Sequence, residues 1–328
     1  MKILTTIRTK SLDAGPKAPL DVIRILRDEY KDIKVETAVR TQKGLLWKLK
    51  RIILILKNIL YKDIIIVQHP ITQSKIIKLL PKKKTIILVH DLNSIRYPEA
   101  KNNENEIGNL KKFKYIIVHN QIMKNYLIQN GVDSNNIYIL ELFDYICDKN
   151  IESVLNQDNK EYKIIFAGNL EKSEFIYQLE ENKMNFNLNL YGQGFKQNEN
   201  NKTIYKGVFQ PEKLPKEWDN NGIGLVWDGK LDETDGEFGV KNYTKYNNPH
   251  KLSCYLAAGI PVIVWEKAAI ADFVIKNNVG FLIKNIYEIN NLDFSDYEVK
   301  KENAKKISEK IRNGYFTKKI FKEVIDKM

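Results

Sequence analysis

The sequence predicts an α/β protein made of two doubly wound, parallel-sheet domains facing a cleft. Three observations predict it. Short β-branched runs alternate with helical patterns along the first half of the chain. The alternation stops at a polar, acidic stretch, 148–161, and then restarts and continues to the C-terminal tail. Strand-helix repetition of this kind implies parallel sheets with helices on both faces. A length of 328 residues suffices for two such domains, set here at 1–150 and 160–328.

The elements follow in order. Residues 3–7 read as a strand, and 18–30 as a helix with Pro16 and Pro19 near its start. Residues 34–39 alternate like a strand, and 64–67, 85–89 and 115–118 are buried-strand runs. A helix over 120–129 is closed by Asn130-Gly131. The stretch 148–161 reads as a linker. Strands are then expected at 162–167, 186–191, 223–227, 261–265 and 280–283, with helices between them. Beyond Glu298, Ile307, Ile311, Ile320, Phe321, Val324 and Ile325 recur at helical spacing and predict helices that pack back across the domains.

Net charge is +12 and hydrophobic content 43%. A basic surface suits phosphates, polyanions or an acidic membrane leaflet, or reflects lysine-rich composition alone. No arginine-rich arm or aromatic-interleaved basic stripe is present, so nucleic acid is not an expected partner. Cys147 and Cys254 are the only cysteines. Without CxxC spacing they argue against a disulfide scaffold or zinc site and favour a reducing, cytoplasmic compartment. The N-terminus lacks signal-peptide character, and no apolar run is long enough to span a membrane. Over Leu45 to Leu60, Lys48, Lys50, Arg51, Lys57 and Asn58 share one helical face. That segment reads as a core-packed helix or as a peripheral contact with the inner membrane face or a partner.

The segment Asn247-Asn248-Pro249-His250-Lys251 carries the sharpest chemistry. Asn248 fits an N-cap, Pro249 the first helical position, and Gly259 the position past the end. Lys251 then sits in the first turn, beside the positive end of the helix dipole. That placement is unfavourable by roughly 0.3–1 kcal/mol unless an anion binds there, which makes the segment a phosphate site; the competing reading is a solvated lysine. The preceding loop, 228–247, is long and aperiodic and therefore a candidate functional loop. In it Asp228 can accept hydrogen bonds from sugar hydroxyls, and Tyr243 or Tyr246 can contact ribose or base. The turn 166–172 brings Gly168, Asn169 and Lys172 to the same phosphates. Residues 267–270, with Ala269, offer another helix start.

His69, His90 and His119 each follow a strand run, and His250 opens the phosphate helix. No closely spaced ligand pair fixes a metal geometry, so no metal is expected. His119 reads as structural. Asp91 and His90 are candidate bases, with Asp91 alternatively capping the next turn. Asp13, in the loop after the first strand, is a further candidate base, and Gly15 in that loop a candidate donor contact.

Asn247-Asn248-Pro249-His250-Lys251-Leu252, with 255–265, resembles the GT-B glycosyltransferases. The resemblance is to the glucosyltransferases that extend O-glycans on bacterial serine-rich-repeat adhesins and the related β-1,6-galactofuranosyltransferases. Segments 90–96, 14–18 and 166–169 are also similar to that group, so nearly the whole chain is covered. The resemblance implies two Rossmann-like domains, with a UDP-sugar bound mainly by the second and a glycan or glycoprotein acceptor bound mainly by the first. It also implies no metal or other cofactor and a homo-oligomer. Retaining GT-B enzymes often carry two glutamates around this helix; Tyr246 and Cys254 occupy those places here, which favours inversion. The expected activity is transfer of glucose or galactofuranose to a sugar acceptor. The alternatives are a UDP-sugar epimerase of the same fold and a catalytically silent glycan-binding subunit.

Overall fold

The computed structural model describes residues 1–5, 16–31, 33–37, 64–70, 77–78, 80–99, 105–147, 162–197, 199–218, 221–228, 231 and 242–328. The Leu45 to Leu60 segment, the 148–161 linker, Asp13 and Gly15 lie outside the described residues. The chain divides into two compact units. The first comprises Met1–Ser11, Pro19–Leu140 and Thr317–Met328; the second comprises Leu12–Ala18 and Glu141–Phe316.

The first unit contains strands β1 (Lys2–Thr5), β2 (Lys34–Thr37), β3 (Ile65–His69), β4 (Thr85–Val89), β5 (Tyr115–Val118) and β6 (Ile137–Ile139). All pair in parallel, in the order β2-β1-β3-β4-β5-β6. β3 and β4 are buried along their whole length, which is why they read as unbroken apolar runs. Helix α1 (Lys17–Glu29) buries Val22, Ile23, Ile25 and Leu26 and turns Arg24 and Arg27 to solvent. Two short helices, α2 (Asn93–Arg96) and α3 (Glu106–Leu110), follow β4. Helix α4 (Gln121–Gln129) begins at Asn120, whose Oδ1 accepts from Met123 N at 2.9 Å. Gly131 then takes a φ of 82°, the left-handed turn predicted for Asn130-Gly131.

The second unit contains β7 (Lys163–Ala167), helix α5 (Phe175–Gln178), β8 (Leu188–Tyr191), β9 (Thr203–Gly207) and β10 (Gly222–Val226). It continues with α6 (His250–Ala257), β11 (Val262–Trp265), α7 (Ala271–Asn277), β12 (Gly280–Ile283) and α8 (Tyr297–Arg312). Its sheet is also parallel, ordered β12-β11-β10-β7-β8-β9. The chain therefore winds one way from β7 to β9, then returns to the other side of β7. The crevice between β7 and β10, at their carboxyl ends, is the topological switch point where sheets of this kind bind ligands.

The tail is helical as its spacing predicts. α8 buries Tyr297, Lys300, Ala304, Ile307, Ser308 and Ile311 along one stripe. Helix α9 (Tyr315–Asp326) buries Ile320, Phe321 and Val324, each contributing about 1.5–3 kcal/mol. From Thr317 onward it is counted with the first unit, where Tyr115 Oη donates to Lys327 O at 3.0 Å. β6, β9, α2 and α3 were not expected from the pattern.

Candidate active site

Helix α6 closes as its sequence requires. Gly259 takes a φ of 73°, its N–H donates to Leu256 O, and Ile260 N–H donates to Tyr255 O. This paired arrangement satisfies the last carbonyls. The start of α6 differs from expectation by one residue. Pro249 is the cap residue, in extended conformation, with no side-chain cap. Asn248 does not cap: its Nδ2 donates to Glu141 O at 2.5 Å. Glu141 holds a φ of 72°, which non-glycine residues seldom adopt, and the Asn248 amide fastens its carbonyl.

Lys251 remains in the first turn. Its Nζ donates to Trp227 O and to Asp228 Oδ1, both at 2.7 Å, and lies 4.5 Å from the centre of the Phe166 ring. Trp227 and Asp228 follow β10 directly, and Phe166 is the penultimate residue of β7. The ammonium group therefore stands at the β7/β10 switch point.

Tyr255, one turn further along α6, holds that switch point open. Its hydroxyl accepts from Ala167 N–H at 2.7 Å and donates to Leu225 O at 3.2 Å. The β7–β10 register pairs Ile165 with Gly224. Continued by one rung, Ala167 N–H would donate to Leu225 O directly. The phenol replaces that rung and spaces the strand ends apart. A side chain at Gly224 would collide with the Tyr255 ring, since a Cβ there would lie 2.2 Å from Cγ. Burial, offset in part by the Ala167 amide, pushes the Tyr255 phenol well above its ordinary range, so it remains a donor.

The Gly168 turn meets a second turn that sequence reasoning missed. Asn169 Oδ1 accepts from Lys172 N at 3.2 Å, closing a 3₁₀ turn over Leu170–Lys172. Gly168 N–H donates to Tyr191 O and Leu170 N–H to Gln193 O. Gly192, at φ 142°, has no room for a side chain, because a Cβ there would lie 1.8 Å from Gly168 O. The G-Q-G stretch after β8 was the available signal. Lys172 is exposed on this turn.

Other predicted contacts are placed differently. Ala269 N–H is committed to Thr244 O at 2.9 Å, and α7 begins only at Ala271, so Ala269 offers no amide to a ligand. Tyr243 is buried in the core. Tyr246 and Asn247 are half-buried in the turn before α6, both donating backbone N–H to Tyr243 O. The His250 imidazole turns away from Lys251, with Nε2 at 3.3 Å from Asp144 O and its ring 5.0 Å from that of Tyr145. Desolvation, with the nearby Lys17 charge, lowers His250 to about 3 against the opposing Asp144 carbonyl. It is a neutral packing residue.

In the first unit, Gln68 Nε2 donates to Pro19 O, which leaves Gln68 Oε1 to accept from His90 Nε2–H at 2.7 Å. A neutral His90 is therefore protonated on Nε2. Asp91 does not cap the following turn: its Oδ2 accepts from Arg96 Nη1 at 2.8 Å. The amides at the start of α2 are taken by Glu106, with Oε1 accepting from Asn93 N–H and Oε2 from Ser94 N–H. Oε1 also accepts from His69 Nε2 at 2.7 Å. Burial pushes Glu106 up, but His69 and Ser94 outweigh it and hold the carboxyl below its usual value. His119 Nε2–H donates to Val89 O at 2.9 Å, and burial, partly offset by backbone carbonyls, lowers it to about 4. The structural reading of His119 stands. Among the described residues no group of three or more His, Cys, Asp or Glu is arranged to hold a metal ion.

Comparison with known families decides what these sites belong to. The model for the glucosyltransferase 3-like N-terminal domain matches residues 1–142, and that for the C-terminal domain of the same family matches residues 164–324. The chain belongs to the glucosyltransferase 3-like family. This glycosyltransferase is 31% identical to the β-1,6-galactofuranosyltransferase WbbI of Escherichia coli K12, over 99% of this chain and 98% of the relative. It is 27% identical to glucosyltransferase 3 of Streptococcus gordonii, over 83% and 81% of the two chains. Its fold is that of the GT-B glycosyltransferases. The Anabaena protein HepE, solved in complex with UDP and glucose, superposes over 100% of both chains with a TM-score of 0.63 at 14% identity. The resemblance drawn from the Lys251 segment therefore holds for the whole chain.

Proposed function

We propose that this glycosyltransferase moves glucose or galactofuranose from UDP to a sugar acceptor, with inversion and without a metal ion. The acceptor is a glycan of a glycoprotein or a cell-surface polysaccharide. The observation that carries the reading is the Lys251 ammonium at the β7/β10 switch point, beside the glycine turns after β7 and β8. An ammonium group so placed stabilises the diphosphate as its charge rises on leaving. The glucosyl and galactofuranosyl transfers named for the relatives support the sugar classes. Tyr246 and Cys254, standing where retaining relatives carry carboxylates, support inversion.

In the proposed reaction the acceptor hydroxyl gives its proton to a base and its oxygen bonds to the anomeric carbon. The bond from that carbon to the diphosphate oxygen breaks, and UDP leaves. Asp91 is the assigned base, with His90 and Asp13 as the other candidates. Lys251, Gly168, Asn169, Lys172 and Asp228 are assigned to the donor, with Tyr246, Asn247, Asn248 and Gly15 as further contacts. Two buried free thiols, Cys147 and Cys254, support a cytoplasmic setting. No helix among the described residues is long and apolar enough to cross a membrane. A homo-oligomer and a peripheral membrane contact through Leu45 to Leu60 complete the proposal.

Calorimetry with UDP and transfer assays across a UDP-sugar and acceptor panel test this reading. Lys251→Ala should weaken UDP binding at least tenfold, and Asp91→Asn should abolish transfer while sparing UDP binding. Unchanged UDP affinity in Lys251→Ala, or full transfer by Asp91→Asn, would remove the respective assignment. Transfer that persists in excess chelator is expected.

A further inference from the structure

The contact between Lys251 and Asp228 carries a consequence for product release. Of the three Nζ hydrogens, one goes to Trp227 O and one to Asp228 Oδ1. The Lys251 side chain is only 14% exposed, whereas that of Asp228 is 36% exposed. A cation buried to that degree requires a counter-charge. A carbonyl dipole and the Phe166 ring face orient it, but Asp228 is the anion that meets it. The two partners differ in freedom. Trp227 is buried directly after β10, so its carbonyl is fixed. Asp228 is the next residue out, partly in solvent.

A diphosphate reaching Lys251 therefore finds one anion already present. Two anions on one cation repel at contact distance, and the low dielectric of a buried site strengthens that repulsion. We propose that Asp228 is the resident counter-ion of Lys251 in the empty site, displaced by the diphosphate of the donor and returning to Lys251 to expel UDP after transfer. The inference rests on the reading of Lys251 as the diphosphate ligand. Free UDP bears an ionisable oxygen that the donor esterifies to sugar. The carboxylate thus opposes the product more than the substrate. When Asp228 swings away, the Trp227 carbonyl keeps the ammonium in place.

Asp228→Asn keeps the size and hydrogen-bonding capacity of the side chain and removes its charge. Measured by calorimetry, UDP affinity should rise about two- to tenfold, the scale of a partly exposed ion pair. The affinity for UDP-glucose should rise less, because Asp228 released from Lys251 is assigned to the sugar hydroxyls of the donor, and inhibition of transfer by added UDP should become stronger. Asp228→Ser should shift UDP affinity in the same direction, which guards against an effect peculiar to asparagine. Unchanged or weaker UDP binding in both variants, with melting curves showing folded protein, overturns the inference. Lys251→Ala separates the two levels. If it leaves UDP affinity intact, the diphosphate reading itself fails. If it weakens UDP binding while Asp228→Asn does not tighten it, only the counter-ion role falls.

Discussion

At the scale of single residues, the proposed donor site depends on a phenol that touches no proposed ligand group. The Tyr255 hydroxyl stands in for one rung of the β7–β10 ladder and takes both backbone groups that the rung would have used. Removing it leaves Ala167 N–H and Leu225 O facing each other across a gap. A buried polar group stripped of its partner costs about 1–3 kcal/mol. Tyr255→Phe should therefore lower the stability of the second unit by that amount in a denaturant titration. UDP affinity should fall with it, because Phe166 and Trp227, which frame the Lys251 ammonium, sit beside the two unpaired backbone groups. Wild-type values for both quantities would show that the hydroxyl is not the spacer. Nothing in the sequence announced this role. A tyrosine inside an apolar helix reads as core, and the clue lay 31 positions away, at a strand glycine whose missing side chain makes room for the ring.

At the scale of elements, legibility tracked locality. α6 was readable because its stop signal, Gly259, is local, and its start was misplaced by one residue because Asn248 serves a carbonyl 107 positions away instead of its own helix. The central strands were readable because burial on both faces demands unbroken apolar runs. β6 and β9 were not, since β6 has only three residues and β9 leaves most of its length exposed or half exposed. The α2 turn shows the same limit. Its amides are capped by Glu106, 12 and 13 positions downstream, and not by the neighbouring Asp91, for which capping was the alternative to a role as base. A carboxylate at a helix start contributes about 0.5–2 kcal/mol. Glu106 also receives His69, so Glu106→Gln removes charge from two contacts at once. Thermal denaturation should show the first unit destabilised by about 1–2 kcal/mol. Transfer should fall too, because Arg96, which holds Asp91, belongs to the turn that Glu106 caps. A melting profile identical to wild type would mean that the cap carries no weight.

At the scale of the whole molecule, one desolvated neutral histidine in each unit, the buried His119 and the half-buried His250, predicts how stability responds to acid. His119 in the first unit is lowered from 6.5 to about 4, chiefly by burial. His250 in the second is lowered from 6.5 to about 3, again chiefly by burial. Well above pH 6.5 both states of either residue are neutral and neither residue contributes a pH dependence. Below it the unfolded chain binds a proton at each position that the folded unit refuses, so acid favours unfolding. The slope approaches about 1.4 kcal/mol per pH unit for each histidine until the folded value is reached. Glu106, held below its ordinary carboxyl value in the folded state, adds a loss of the same sign at more acidic pH. Denaturant titrations at pH 7.5 and 5.5 should show both units weakened at the lower pH, by about 1–1.5 kcal/mol each. His119→Gln preserves a donor for Val89 O and cannot be protonated. It should reduce the pH dependence of the first unit across this range and leave that of the second intact. Equal stability of the wild-type units at the two pH values would contradict the desolvated neutral state of both histidines. An unaltered slope in His119→Gln would assign the acid response of the first unit to another group.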